Sequence, residues 1–175
     1  GNVIFLNRTK GVGILSKEDA ISFGVTGPVG RGSGFACDVR KRHPYSAYDR
    51  VSFKECIETT GDTFSRYKVR IAEMWESISI IEQLIDQIPE GEHKVATKAV
   101  IKLPKGEFYQ RVETARGELG VYINSDGNKN PYRVKFRSPG FSNLSALHHT
   151  AVGGKIGDLV AIMASFDFVI PDIDR

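Results

Sequence analysis

Between Phe64 and Ile88, apolar residues return every third or fourth position, at Phe64, Tyr67, Ile71, Met74, Ile78, Ile81, Ile85 and Ile88. That period puts them on one face of an α-helix, and a rise of 1.5 Å per residue carries the face for about 40 Å. Trp75 and Leu84 widen the stripe beyond a two-stranded seam, which predicts burial against several neighbours rather than a free coiled coil. Pro89 and Gly91 stop the helix.

Downstream the pattern changes. Phe108–Glu113, Glu118–Asn124 and Tyr132–Arg137 read as strands, joined by Arg116-Gly117 and by Ser125-Asp126-Gly127-Asn128, and predict a three-stranded antiparallel meander. Upstream, Ser16 caps a short helix that runs through Phe23 and ends at Gly24. Residues 24–48, rich in Gly, Pro and charge, read as a loop without regular structure. Ser142 or Asn143 caps a segment through His148, a further helix covers Lys155 to Ser165, and Pro171 breaks the tail. The expected fold class is α+β, mainly α, with a long buried helix in a bundle plus a small antiparallel β meander. We expect one domain over residues 1–175: a helix and Gly-rich loop (1–60), the long helix (61–89), the meander (106–138), and C-terminal helices with a tail (139–175).

With 41% hydrophobic and 26% charged residues, the chain has the make-up of a folded domain. Its net charge of +3 is spread along the sequence rather than gathered on one face, so nucleic-acid binding is not implied. The densest basic run, Arg40-Lys41-Arg42-His43, suits a solvated loop or a contact with a partner protein or lipid head groups. No apolar run reaches the roughly 20 residues a bilayer demands, so the chain is expected to be soluble or peripheral. Cys37 and Cys56 lack the spacing of zinc or iron–sulfur ligands and are expected to be two small buried thiols.

Candidate chemistry is sparse. Gly30-Arg31-Gly32-Ser33-Gly34 lacks the Lys-Ser/Thr of a phosphate loop and the spacing of a dinucleotide site. Its glycines allow close backbone packing instead, holding Arg31 where its fork can bind a carboxylate or stabilise an anion. Asp62, Arg66, Arg70 and Glu73 recur on one flank of the long helix, as surface ion pairs or, if buried, as an internal polar network. His148 and His149 are adjacent, so their rings diverge on a helix and cannot share a metal with good geometry. The tail from Ser165 to Arg175 sets Asp167, Asp172 and Asp174 among apolar residues, a setting that tends to raise a carboxylate's proton affinity but equally suits a buried cap.

Taken together, several motifs resemble a known family. Thr26-Gly27-Pro28 with Arg31-Gly32-Ser33-Gly34, Asp38-Val39-Arg40-Lys41 and Pro44-Tyr45-Ser46-Ala47-Tyr48 are similar to a loop of the large, 49-kDa-type subunit of respiratory complex I, the NADH:quinone oxidoreductase. Gly61-Asp62 with Arg66, Glu73 and Ser77-Ile78, then Gly117-Glu118-Leu119-Gly120, Ser125-Asp126-Gly127, Pro131-Tyr132-Arg133 and the closing Asp172-Ile173-Asp174-Arg175 continue the likeness in order. The resemblance covers nearly the whole chain and implies the C-terminal half of a longer protein with a fold like the [NiFe] hydrogenase large subunit. Val169 and Asp172 stand where hydrogenases carry a metal-binding Cys-x-x-Cys pair, so the resemblance implies no metal and no cofactor bound by this chain.

It further implies a quinone pocket fed by an iron–sulfur cluster on a neighbouring subunit. In that reading Asp167 is the catalytic, proton-handling residue, and Phe168, Val169, Asp172 and Arg31 are the quinone-binding ones. The implied partners are the cluster-bearing and membrane-arm subunits, with the chain peripheral on the cytoplasmic side of the cell membrane. The family's quinone-facing His and Tyr lie in an N-terminal half this sequence does not contain, so the head-group site is incomplete here. The other readings weighed are a metal-free large subunit of another energy-converting complex with a different acceptor, and a noncatalytic interaction module.

Overall fold

A computed structural model describes residues 2–97 and 100–174. Lys98 and Ala99 of the connector, and Arg175 of the closing motif, lie outside the described residues. The elements in chain order are helices α1 (Val3–Thr9), α2 (Lys17–Ser22), α3 (Gly27–Gly32), α4 (Val39–Arg42) and α5 (Thr63–Leu84), strands β1 (Gly106–Thr114), β2 (Gly117–Ser125) and β3 (Arg133–Arg137), and helices α6 (Pro139–Ser145), α7 (Leu147–Ala151), α8 (Ile156–Phe166) and α9 (Ile170–Ile173). The α+β class and the antiparallel meander, in the order β1-β2-β3, are both as expected.

Helix α5 begins where Asp62 caps it. One carboxylate oxygen accepts from Ser65 N at 2.7 Å and the other from Gly11 N at 2.8 Å, so the cap also ties down the loop after α1. Beyond Leu84 the chain tightens into a 3-10 turn, Ile85–Gln87, and the backbone turns extended at Ile88, as the residue before Pro89 must.

The expected burial of the stripe is corrected. Tyr67, Ile71, Met74, Trp75, Ile78, Ile81 and Ile85 are exposed, Trp75 at 68% and Ile78 at 46%. The helix instead buries Ser65, Arg66 and Val69, the flank that meets α3 and α8. Gly32 permits that approach, since a Cβ there would stand 3.0 Å from Arg66 Cγ. The period identifies the apolar face correctly; which face the neighbouring elements cover depends on where glycine lets backbones come together.

Two more corrections concern loops. Residues 24–48 contain α3 and α4 rather than irregular chain. Pro28 sits in the first turn of α3, where its fixed φ and missing N–H cost nothing, and the glycines around it are buried. The C-terminal segment expected to start at Ser142 or Asn143 starts at Pro139, after Ser138, and breaks between α6 and α7. The helices α2 and α8 match their expected spans within a residue.

The main core joins Leu15, Ala20, Val25 and Val29 to Ala146, Ile162 and Phe166, so the N-terminal helices close on the C-terminal ones. A smaller cluster of Val51, Phe53 and Ile80 lies under α5. The sheet docks through its β1–β2 turn onto the start of α3. Gly27 and Gly117 meet so closely that a Cβ on Gly27 would fall 2.4 Å from Arg116 O. Thr26 Oγ1 accepts from Glu118 N at 3.1 Å and from Arg137 Nη1 at 3.2 Å, fixing the turn to the helices.

Candidate functional site

Helix α3 delivers Arg31 to a point where four segments meet. Its side chain is 1% exposed, with Nε 2.5 Å from Glu73 Oε1 on α5 and Nη1 2.8 Å from Glu113 Oε1 on β1. Burial alone would lower its pKa, but the two carboxylates outweigh it and hold the guanidinium above its usual range. Glu113 Oε2 in turn accepts from Val39 N at 3.1 Å, at the start of α4, and Tyr45 Oη accepts from Glu113 N at 3.0 Å. Arg31 thus binds carboxylates, as its setting among glycines suggested, and joins α3, α4, α5 and β1.

Arg40 extends the network. It clasps Asp38 through Nε at 3.0 Å and Nη2 at 2.7 Å, and lies 4.8 Å from the Phe53 ring centroid. Burial works against the Asp38 charge, yet Arg40 and the neighbouring N–H hold its carboxyl below the usual range. The other cations of the basic run also find partners: Lys41 lies over Phe53 at 4.0 Å, and Arg42 donates to Ala36 O and faces Phe35.

On α5, Arg66 and Arg70 do not pair along the helix with Asp62 and Glu73. Arg66, 0% exposed, donates to Gly61 O (2.8 Å), Gly13 O (2.9 Å), Thr63 Oγ1 (3.1 Å) and Ser165 Oγ (2.8 Å), and faces the Phe166 ring at 4.9 Å. Burial without a contacting carboxylate, together with Arg70 nearby, pulls it down to about 9, still protonated at neutral pH. Arg70 donates from Nη1 to Arg66 O at 3.3 Å, while its buried Nη2 has no hydrogen-bond partner among the described residues.

These elements enclose an open cavity of about 510 Å³. Tyr67, Ile71 and Met74 form an apolar wall, and Arg31, Arg70 and Asp167 are among the polar groups facing them. Asp167 ends α8 in the left-handed region, φ 56°, a conformation an aspartate tolerates better than most residues. Arg116 Nε holds it twice, 3.0 Å from its carbonyl oxygen and 3.3 Å from Oδ2.

Of the five residues the sequence singles out, the structure brings Arg31 and Asp167 to this cavity. Phe168 stacks on Phe166 at 5.4 Å and packs on the main core. Val169 precedes α9 and is half-buried, and Asp172 is held against α6, with Ser138 Oγ donating to its carbonyl oxygen at 2.8 Å. Sequence reasoning overlooks Glu113, which stands in a strand without a local signal, and gives Arg70 only a place on a flank. The repeated i, i+4 arginines of α5 are the one hint that a second cation accompanies Arg66.

Cys37 is buried, which pushes its thiol up to about 11, whereas Cys56 is half-buried rather than fully buried as expected. His149 Nε2 lies 3.2 Å from Asp19 Oδ2. Among the described residues no group of three or more His, Cys, Asp and Glu side chains could hold a metal ion, and no helix is long and apolar enough to cross a membrane.

The sequence model of the family described as "Respiratory-chain NADH dehydrogenase, 49 Kd subunit" matches residues 1–102 and 93–175. Across all 175 residues the chain is 57% identical to the NADH-quinone oxidoreductase C/D subunit of Phocaeicola vulgatus, covering 34% of that protein. It is 56% identical over the same length to the C/D subunit of Bacteroides fragilis, covering 33% of it. With the NADH-quinone oxidoreductase D subunit of Clostridium beijerinckii it shares 47% identity over 175 residues, 100% of this chain and 47% of that protein. The chain therefore spans about a third of the C/D relatives and about half of the D relative, and aligns with their C-terminal part.

Proposed function

Since the chain belongs to the family of the 49 Kd subunit of respiratory-chain NADH dehydrogenase, we propose that it forms one wall of a quinone-reducing site in an NADH-quinone oxidoreductase. The observation that carries this reading is the cavity on which α3, α5, the β1–β2 turn and the end of α8 converge, with Asp167 beside an apolar wall and a dense arginine–carboxylate network. A quinone needs those ingredients: an apolar face for its ring, fixed donors for its oxygens, and a group that passes protons.

In this proposal electrons come one at a time from an iron–sulfur cluster on a neighbouring subunit, and this chain binds no cofactor itself. Two electrons and two protons convert quinone to quinol, with one proton ending on each oxygen. Asp167, steadied by Arg116, hands on a proton and Arg31 locks the wall in place, while Phe168 on the main core and Asp172 against α6, with Val169 between them, anchor the tail outside this cavity. Val169 and Asp172 cannot supply the thiolates that a hydrogenase-type nickel–iron site requires. We assign the chain as the C-terminal domain of a longer protein with a hydrogenase-like fold. Its partners in the complex are the cluster-bearing and membrane-arm subunits, and it is peripheral on the cytoplasmic side.

Asp167→Asn in the assembled complex tests this. Quinone reductase activity should fall by at least about tenfold, roughly 1.4 kcal/mol of transition-state stabilisation, with the complement of subunits and the cluster signals retained. Normal turnover in that variant would remove Asp167 from the chemistry and make the end of α8 a structural cap.

A further inference from the structure

We propose that the outward face of α5 beyond the cavity, formed by Trp75, Ile78, Ile81 and Ile85, seats an α-helix from the part of the same polypeptide that precedes α1. This rests on the assignment of the chain as the C-terminal domain of a longer protein, and not on the quinone reading.

This end of α5 is covered on one side. Ile80 packs on Val51 and Phe53, and the Gln83 amide donates to Ser52 O at 2.8 Å and accepts from Ser52 N at 2.9 Å. Glu76 accepts from Lys54 N at 2.8 Å, so three residues of α5 grip the segment 51–54. The opposite side is bare: Trp75, Ile78, Ile81 and Ile85 are all exposed, Ile85 at 58%. A row of large apolar side chains on a helix already fixed from behind marks a contact surface, because monomeric proteins seldom leave such a patch to water.

Spacing indicates the form of the occupant. After Met74 the apolar positions follow at Ile78, Ile81 and Ile85, in steps of four, three and four. Two helices crossing at about 20° interlock their side chains through that alternation, whereas a strand presents every second residue and matches no such row.

Length and tethering indicate its source. The chain covers 47% of the Clostridium beijerinckii D subunit and aligns with the C-terminal part of its relatives, so about half of a D subunit precedes the matched region. A segment leading into α1 arrives beside α5, since the Phe5 ring of α1 lies 5.1 Å from the Tyr67 ring at the start of the same stripe. Covalent attachment gives such a segment an effective concentration on the order of millimolar, an advantage that a second copy or a separate subunit lacks.

The test places the photoreactive residue p-benzoylphenylalanine at position 78 or 81 of the full-length polypeptide in the assembled complex. Irradiation should link these positions to residues of the same polypeptide ahead of α1, mapped by mass spectrometry. A link to another subunit, to a second copy of this chain or to lipid overturns the proposal, as does the absence of a link from both positions. Ile78→Asp supplies the second measurement. It should lower the yield of assembled complex at least about tenfold, because it buries an unpaired charge there, yet leave the 175-residue chain folded by circular dichroism. Wild-type yield overturns the proposal, and so does an unfolded chain, which would mean that the chain itself covers this face. A gene that encodes nothing ahead of α1 removes the assignment as a C-terminal domain too, whereas links to another subunit remove only the occupant named here.

Discussion

Arg66 holds α5 to three other parts of the chain without a carboxylate in contact, through the carbonyls of Gly13 and Gly61 and the hydroxyl of Ser165. Its planar fork reaches these acceptors in fixed directions, which an ammonium cannot reproduce. Arg66→Lys should therefore destabilise the chain by about 2–4 kcal/mol, the range for breaking a buried hydrogen-bond network, and denaturant unfolding would measure it. The sequence displays the spacing of Arg66 but not its partners, which lie up to 99 residues away.

Asp62, which its spacing placed among the ion-pairing residues of the α5 flank, is instead the cap of that helix. Burial disfavours its charge, yet the N–H groups of Gly11 and Ser65 hold the carboxyl below the usual range. Because the folded pKa is depressed, the stabilisation is complete above the ordinary carboxylate range and disappears as pH falls through the folded value. Asp62→Ala should cost about 1–2 kcal/mol at pH 7, and the gap in melting temperature from wild type should narrow as the pH falls below the ordinary carboxylate range.

At the scale of elements, periodicity is enough to locate α5 and α8, and turn residues are enough for the meander. The side of α5 that is buried is not legible, because the apolar stripe faces outward while Val69, 1% exposed, is packed inside. Within this chain Ile78→Asp should leave folding intact. Val69→Asp should abolish it, since an unpaired buried charge costs several kcal/mol against a total stability of about 5–15 kcal/mol. Circular dichroism of the two variants decides: a folded Val69→Asp or an unfolded Ile78→Asp would reverse the assignment of faces. α3 escapes sequence reading because Gly27, Gly30 and Gly32 look like helix breakers. Their function is contact, with Gly27 and Gly117 touching backbone to backbone and Gly32 admitting α5.

For the whole molecule, the family is legible from motif order alone, and of the candidate site Arg31 and Asp167 are foreseen. What the sequence hides is the convergence: Glu113 and the β1–β2 turn reach the cavity because the sheet docks through Thr26 onto α3, and there they meet Arg70 of α5. That convergence is the basis for reading the cavity as a quinone site. The most direct test is photoaffinity labelling of the assembled complex with an azido-benzoquinone, with and without excess unlabelled quinone. If the cavity holds the quinone, quinone-protected labelling falls on this chain, on peptides containing Tyr67 to Met74 or Asp167 to Val169. Protected labelling confined to other subunits, with none on these two segments, would contradict it.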